Sequence, residues 1–146
     1  MVLRFFRAFW FISLFFLLAS LLYVYASLPE EVVVQQESLR VHSLSRDIFF
    51  YLVLLIVTLI NALVYVIPAI VKRNDDFVSW FNGFIITLNI FFVFSLMVIN
   101  VFNGTEKFDF SRVGLFVYGS LTLIVTWALG WPLYSLYKRI STKQPV

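Results

Sequence analysis

The sequence predicts an all-α integral membrane protein with four transmembrane helices, and two observations lead to that prediction. First, 62% of the 146 residues are hydrophobic and only 13% are charged, whereas soluble domains carry roughly 25% charged residues. Second, the hydrophobic residues are concentrated in four long runs without a charged side chain, each reaching the roughly 20 residues that a helix needs to cross the hydrocarbon layer. These runs do not alternate between apolar and polar residues, as the strands of a membrane barrel do.

Residues 1–146 are expected to form a single domain. The first span follows a basic segment and could be a cleaved signal peptide. Its apolar stretch is longer than the roughly 7 to 15 residues typical of such a peptide, so we expect it to remain as a signal-anchor helix. The short connection 72–76 makes the second and third spans an antiparallel pair. From the limits of the uncharged runs, the four spans cover about residues 8–28, 48–71, 77–102 and 113–137.

Polar residues beside the spans predict where the helices begin. A side-chain oxygen at that position accepts a hydrogen bond from a free N–H group of the first helical turn. The candidate N-caps are Ser45 for the second helix, Asn74 or Asp75 for the third, and Asp109 or Ser111 for the fourth.

The distribution of lysine and arginine predicts the orientation of the chain in the membrane. Seven basic residues lie on the side that holds both termini, and four lie on the opposite side. Because cytoplasmic loops carry the excess of lysine and arginine, both termini are expected in the cytoplasm. The seven are Arg4, Arg7, Lys72, Arg73, Lys138, Arg139 and Lys143, and the four are Arg40, Arg46, Lys107 and Arg112.

The residues that the spans lack argue against several kinds of chemistry. The chain has no cysteine and a single histidine, His42. Thiolate and disulfide chemistry is therefore excluded, and one imidazole is too few for a two-histidine haem or zinc site. The uncharged runs also lack the ionisable groups that ion-coupled transport and acid–base catalysis need. We therefore expect no catalytic residue, no cofactor, no metal and no nucleic acid partner.

Asparagines are the main polar residues expected at depth in the membrane. Asn61 is 13 residues from the outer end of the second span, and Asn89 is 12 residues from the inner end of the third. Both therefore lie near the middle of the bilayer, where they could meet. Asn82, Asn89 and Asn100 share one face of the third helix, because spacings of 7 and 11 residues return to the same side. This face either forms hydrogen bonds between helices of the bundle, which we favour, or it lines a polar path or binds another subunit. Asn82 and Asn100 lie nearer the span ends, where headgroups or water could satisfy them.

The fourth span carries a row of small residues. Thr122, Thr126 and Gly130 are spaced four residues apart, and such a row allows the backbone of another helix to approach closely. We therefore expect a neighbouring helix against this face, from the bundle or from a partner.

The connection between the first two spans, residues 28–47, is the only polar stretch long enough for structure of its own. Its valines, followed by alternating apolar and polar residues, are typical of extended segments, and a solvated loop is the alternative. An extended segment could pair with a strand of a partner protein while its charges set the register. The candidate contact residues are Val32, Val33, Val34, Glu30, Glu31, Arg40 and Arg46.

The residues at the end of the first span resemble a known family. Tyr25-Ala-Ser-Leu-Pro-Glu-Glu-Val32 closes the first helix and leads through a polar connection to a long second helix. In this respect the chain resembles a small bacterial multi-pass membrane family of unknown function, associated with toxin-immunity proteins of the sporulation-delaying type. Residues 28–32 carry the resemblance, and the His-Phe-Asn and Gly-Glu-Pro elements of that family are missing. The resemblance implies a membrane immunity or signalling role.

Three functions are compatible with these features, none of them enzymatic. The first is an accessory or scaffold subunit of a larger membrane complex, which binds a membrane-protein partner or a second copy of the chain. The second is a stand-alone toxin-immunity or sensor protein, and the third is a small passive channel or transporter. The short connections and the retained first helix are typical of a bacterial cytoplasmic (inner) membrane protein, surrounded by the lipid bilayer.

Overall fold

The computed structural model describes residues 2–37, 40–71, 74–104 and 110–141. Within these ranges the chain forms four helices, and a two-stranded hairpin connects the first helix to the second. All four helices are long and apolar enough to cross a membrane, which confirms the predicted all-α class with four membrane-length helices. In chain order the elements are α1 (Val2–Ser27), β1 (Glu31–Glu37), β2 (Arg40–Ser45), α2 (Arg46–Ile70), α3 (Asp75–Asn103) and α4 (Phe110–Ser141).

The helices are longer than the uncharged runs that predict them. α1 begins at Val2 instead of residue 8, and α4 extends from Phe110 to Ser141 instead of covering 113–137. Charged side chains limit an apolar stretch but do not end a helix, because arginine and lysine have high helix propensity. Hydropathy therefore locates the spans, whereas capping and loop geometry set the helix ends.

Two of the predicted N-caps are confirmed. The Ser45 side chain accepts a hydrogen bond from the N–H three residues further on (3.3 Å) at the start of α2, and the Asn74 side chain does the same for α3 (3.1 Å). For α4, the prediction of Ser111 is wrong, because the helix begins one residue before it. The other candidate, Asp109, lies outside the described residues.

α3 is the central helix of the bundle, with α1, α2 and α4 packed around it. α1 runs parallel to α3, whereas α4 runs antiparallel to it. By backbone proximity, α4 neighbours only α3 among the described elements, so most of its circumference is open. The contacts that define the two directions are Ser13–Asn89 and Ser27–Asn100 for α1, and Phe77–Trp131 and Phe94–Phe116 for α4.

The apolar core lies in two clusters along the bundle. The larger cluster is at the end that carries the hairpin, named the hairpin end, and the smaller one lies towards the opposite end, named the termini end. On α2, Val57 belongs to the larger cluster and Val64 to the smaller one, so Asn61 lies between them. The larger cluster contains Leu17, Leu21, Val24, Leu28, Val32, Phe49, Val57 and Leu96, and the smaller contains Trp10, Val64 and Ile85.

The connection between α1 and α2 forms an antiparallel hairpin. This confirms the predicted extended segments over the alternative of a solvated loop. The Val32 side chain is 0% exposed and belongs to the larger core cluster, so β1 is anchored on the bundle. Near this anchor, Glu31 pairs with Ser45, Val32 with Leu44 and Val33 with Ser43, and a β-bulge follows between Val33 and Gln35.

Candidate functional site

Four polar side chains from three helices form one hydrogen-bonded group halfway along the bundle, named the amide cluster (Trp10, Ser13, Asn61 and Asn89). The side-chain amides of Asn61 and Asn89 donate to each other's oxygen, at 3.0 and 3.1 Å. The Trp10 indole N–H donates to Asn61 Oδ1 (2.8 Å), and Asn89 Nδ2 donates to Ser13 Oγ (3.0 Å). The cluster therefore links α1, α2 and α3, and it contains the contact that the depth count predicts.

The two amides of the cluster have partners for all of their donors. Asn61 Nδ2 also donates to the Val57 carbonyl oxygen (2.9 Å), and the Ser13 hydroxyl donates to the Trp10 carbonyl oxygen (2.8 Å). Asn89 is 0% exposed and Asn61 is 5% exposed. A buried, fully paired group of this kind fixes the register of its helices, because sliding would leave a donor unpaired. Amide, indole and neutral hydroxyl groups do not titrate near neutral pH, so the cluster supplies no acid–base chemistry.

Trp10 and Ser13 are the members of the amide cluster that sequence reasoning missed. Tryptophan is typical of membrane interfaces, but Trp10 is buried and faces the bundle. The sequence does indicate that Trp10 is buried, since Trp10 lies on the same face of α1 as the buried Leu17 and Leu21. Such a face is expected to pack against other helices, where a polar group needs a partner.

Asn82 lies on the same face of α3 as Asn89 but has different surroundings. It is 1% exposed, and neither Oδ1 nor Nδ2 has a hydrogen-bond partner among the described residues. The expected contact of Asn82 with headgroups is therefore wrong, because the side chain lies inside the bundle. The parallel register of α1 and α3 puts it level with Phe6, whose ring lies beside the next residue, Gly83. A phenyl ring offers an amide neither a conventional donor nor an acceptor.

Two other asparagines of α3 form hydrogen bonds to neighbouring elements at the hairpin end. The Ser27 hydroxyl donates to Asn100 Oδ1 (2.7 Å), so α1 supplies a partner for this oxygen. The Val33 N–H donates to Asn103 Oδ1 (2.7 Å), and Asn103 Nδ2 donates to the carbonyl oxygens of Val33 (3.1 Å) and Ile99 (2.9 Å). Asn103 thus binds the backbone of β1 at two points, as a neighbouring strand would. No local pattern could reveal this contact, because it joins residues 70 positions apart.

Two tryptophans hold α4 against α3. Trp80 Nε1 donates to the Trp127 carbonyl oxygen, and Trp127 Nε1 donates to the Trp80 carbonyl oxygen, both at 2.9 Å. Gly83 permits this approach, since an added Cβ would overlap the Trp127 ring. The reciprocal bonds lie towards the termini end and fix the register of the two helices.

In the row of Thr122, Thr126 and Gly130, the glycine lies beside α3, since a Cβ added there would be 3.9 Å from Trp80 Nε1. All three residues are exposed, and the Thr122 hydroxyl donates to the Tyr118 carbonyl oxygen in its own helix (2.8 Å). The expectation of a neighbouring helix from the bundle is therefore confirmed at Gly130 and wrong at the two exposed threonines. The tryptophan contacts with α3 set the packed face of α4, and they leave the two threonines on another side.

The three valines of β1 have three different environments. Val32 is buried in the core, so the prediction that its side chain contacts a partner is wrong. Val33 uses its backbone N–H and C=O to bind Asn103. Val34 is 42% exposed and remains on the surface. The β1 edge, which the sequence predicts as the partner's docking edge, is therefore occupied at Val33 by the chain's own α3.

The charged candidates at the hairpin end also have different roles. Glu30 and Glu31 are exposed. Arg46 is half-buried, and its Nη1 donates to the carbonyl oxygen of the residue that follows α1 (3.3 Å). Its guanidinium lies 5.0 Å from the centroid of the Tyr25 ring, so Arg46 binds α1 rather than an open surface. Arg40 is the first residue of β2.

Neither a metal-binding group nor a known relative identifies a site in this protein. In the described ranges, no group of three or more His, Cys, Asp or Glu side chains is placed to hold a metal ion. Comparison with known proteins found no matching family model, no matching curated protein and no matching solved structure. The candidate site is therefore defined by geometry: an internal amide cluster that fixes the bundle, and a hairpin surface at one end.

Proposed function

We propose that the protein is a non-enzymatic accessory or scaffold subunit of a larger membrane complex, and that its hairpin is the main surface that recognises the partner. The four membrane-length helices are the anchor. We place both termini in the cytoplasm and the hairpin outside, in a bacterial cytoplasmic membrane. The seven-to-four distribution of basic residues supports this orientation.

The observation that carries the proposal is the way in which the hairpin is anchored. Three contacts hold it: the Val32 side chain in the core, Asn103 on the Val33 backbone, and the Arg46 N–H on the Glu30 carbonyl oxygen (2.8 Å). A connection between neighbouring helices needs only a few residues, so an ordered hairpin exceeds what the fold requires. A surface that is held rigid before binding loses little conformational entropy when a partner docks.

The open surface of α4 supports a scaffold role as well. α4 packs along one side only, and its row of Thr122, Thr126 and Gly130 is exposed. A row of small residues lets a helix of another protein approach closely inside a membrane. The helices would then add affinity to the specificity that the hairpin supplies.

Affinity purification of the tagged full chain in a mild detergent tests the proposed function. The wild-type chain is expected to recover a second protein at fixed stoichiometry. Asn103→Ala removes one of the three contacts that hold the hairpin and is expected to reduce that recovery while membrane insertion is retained. Asn100→Ala is the matched control, since it removes a nearby amide that binds Ser27 and not the hairpin. A wild-type chain that elutes alone would contradict the proposal.

Cysteine labelling tests the orientation, because the chain has no native cysteine. His42 is exposed on β2, so His42→Cys is expected to react with a membrane-impermeant maleimide added to intact cells. Lys72→Cys is expected to react only after the cells are permeabilised. Reaction of Lys72→Cys in intact cells would show the opposite orientation.

A further inference from the structure

Two asparagines of α3 are followed directly by glycine, in the pairs Asn82-Gly83 and Asn103-Gly104. Asparagine is a thermolabile residue, and it loses its amide most readily before glycine. The reason is that glycine has no side chain to hinder its backbone nitrogen when that nitrogen attacks the preceding amide. The reaction depends on backbone freedom, on access to water and on the partners of the amide. The two pairs differ in all three respects.

The helix itself protects the pair at Asn82. This pair lies in the interior of α3, where the backbone hydrogen-bond ladder holds the Gly83 nitrogen away from the preceding side chain. Asn82 is 1% exposed, and Gly83 is buried against the Trp127 ring, so water is kept out. The Asn82 amide has no hydrogen-bond partner among the described residues, yet the rigid and dry helix keeps this pair unreactive.

The pair at Asn103 lacks that protection. Asn103 is the last residue of α3, and Gly104 lies outside the helix in an extended conformation (φ −77°, ψ 163°). Gly104 is exposed, and both residues lie beyond the third predicted span, 77–102, so water reaches them. The Gly104 N–H donates to the Val101 carbonyl oxygen (3.1 Å). A helix end opens at much lower free energy than a helix interior, so the backbone of this pair is the freer of the two.

The hairpin provides the protection that the helix end lacks. The Val33 N–H donates to Asn103 Oδ1, and Asn103 Nδ2 donates to the carbonyl oxygens of Val33 and Ile99. The amide must turn towards the Gly104 nitrogen before that nitrogen can attack it, and this rotation breaks both bonds to Val33. The reaction therefore requires β1 to separate from the Asn103 side chain first.

We infer that Asn103 is a deamidation site and that its contact with the hairpin controls the reaction. After β1 separates, the Gly104 nitrogen loses its proton to hydroxide and attacks Asn103 Cγ. A bond forms between this nitrogen and Cγ, the bond between Cγ and Nδ2 breaks, and Nδ2 leaves as ammonia. Water then opens the cyclic imide at either of its carbonyl carbons, which gives aspartate or isoaspartate. In sum, one amide and one water become a carboxylate and an ammonium ion.

The product cannot restore the contact with the hairpin. A carboxylate accepts hydrogen bonds but donates none, so the carbonyl oxygens of Val33 and Ile99 lose this donor and face a negative charge instead. Isoaspartate also adds a methylene group to the backbone at the end of α3. The hairpin is then held by the Val32 side chain and by the bond between Arg46 and Glu30. Deamidation would thus loosen the hairpin permanently, with or without a partner protein.

Incubation of the purified full chain in a mild detergent tests the site. Peptide mass spectrometry measures conversion at each asparagine, and chromatography separates isoaspartate from aspartate. We expect Asn103 to convert to both products, while Asn82 and Asn100, which precedes valine, remain amides. Conversion of Asn82 at the rate of Asn103 would overturn the inference. So would the absence of conversion at Asn103 in both the wild type and Val33→Pro.

Substitution at Val33 tests the control by the hairpin. Val33→Pro removes the N–H that binds Asn103 Oδ1, whereas the matched control Val33→Ala keeps it. Loss of this hydrogen bond is expected to raise the open fraction, and with it the conversion of Asn103, about tenfold above that of Val33→Ala. Asn82 reports on folding in the same samples, because it stays an amide while the bundle is intact. Equal rates in the two variants would overturn the inference.

Gly104→Ala tests the chemical route without altering β1. Alanine accepts the φ of −77° at this position, but its methyl group hinders attack by the backbone nitrogen, so most of the conversion should be lost. Conversion at the wild-type rate would contradict the route through Gly104.

Asn103→Asp reproduces one product and tests its effect on the hairpin. We expect faster hydrogen exchange in β1 than in the matched variant Asn100→Asp, whose side chain binds Ser27 instead. Equal exchange in the two variants would contradict the loosening of the hairpin.

Discussion

Asn89 and Asn82 lie on the same face of α3, seven residues apart, and both are buried, yet their amides have opposite surroundings. Asn89 takes part in three hydrogen bonds within the amide cluster, whereas Asn82 has none in the described part of the chain. The facing helices cause the difference, because they present Ser13 and Asn61 at one depth and Phe6 at the other. A buried amide therefore stabilises or destabilises an apolar bundle according to its partners.

Asn89→Leu is expected to have the largest effect on stability. Leucine keeps the branched outline of the side chain but leaves Asn61 and Ser13 without one partner each. Because unpaired buried polar groups are costly, the free energy of unfolding should fall by about 2 to 3 kcal/mol. Unfolding by SDS in mixed micelles, followed by tryptophan fluorescence, measures the loss. A change below about 0.5 kcal/mol would show that the cluster contributes no net stability.

The contact between Asn61 and Asn89 is tested by a double-mutant cycle. Each leucine substitution alone removes the reciprocal amide bonds, so the second substitution has less left to remove. We expect the double variant to lose about 1 kcal/mol less stability than the sum of the losses in the two single variants. Losses that add would show that the two amides are not coupled, and the polar face of α3 would then need another explanation.

Trp10→Phe is expected to have the smallest effect of the three. Phenylalanine keeps an aromatic ring beside Tyr65, where the Trp10 ring lies at a centroid distance of 5.7 Å. It removes the indole N–H, so Asn61 Oδ1 loses one of its two donors. The expected loss in free energy of unfolding is about 0.6 kcal/mol, measured by circular dichroism because the substitution alters the fluorescence. A loss as large as that of Asn89→Leu would point to ring packing as the main contribution.

The helices and one polar contact were predictable because they depend on local geometry. Apolar runs of sufficient length predict spans, and counting residues along two antiparallel spans places Asn61 and Asn89 at the same depth. The isolation of Asn82 was not predictable, because it depends on which α1 residue lies opposite it. That register is set by packing between distant residues, such as the fit of Gly83 against Trp127 and Phe6.

The hairpin shows the same limit at the other end of the molecule. The run of valines predicts extended structure correctly, since β-branched residues are typical of strands. Which edge remains open depends on Asn103, and nothing in a local pattern joins that residue to Val33. Thr122 and Thr126 were misassigned for a related reason, because residue size alone does not decide which face of a helix is packed.

Unfolding of Asn82→Leu, measured beside Asn89→Leu under the same conditions, shows whether a buried amide without a partner destabilises the bundle. Removal of a buried amide without partners should raise the free energy of unfolding by about 1 kcal/mol, whereas removal of the bonded amide lowers it. The smaller Asn82→Val serves as a second variant in case leucine is too large for the site. Opposite signs for positions 82 and 89 are the predicted result. A loss of stability in both Asn82 variants would contradict this expectation, since it would show that this amide also has a partner that stabilises the bundle.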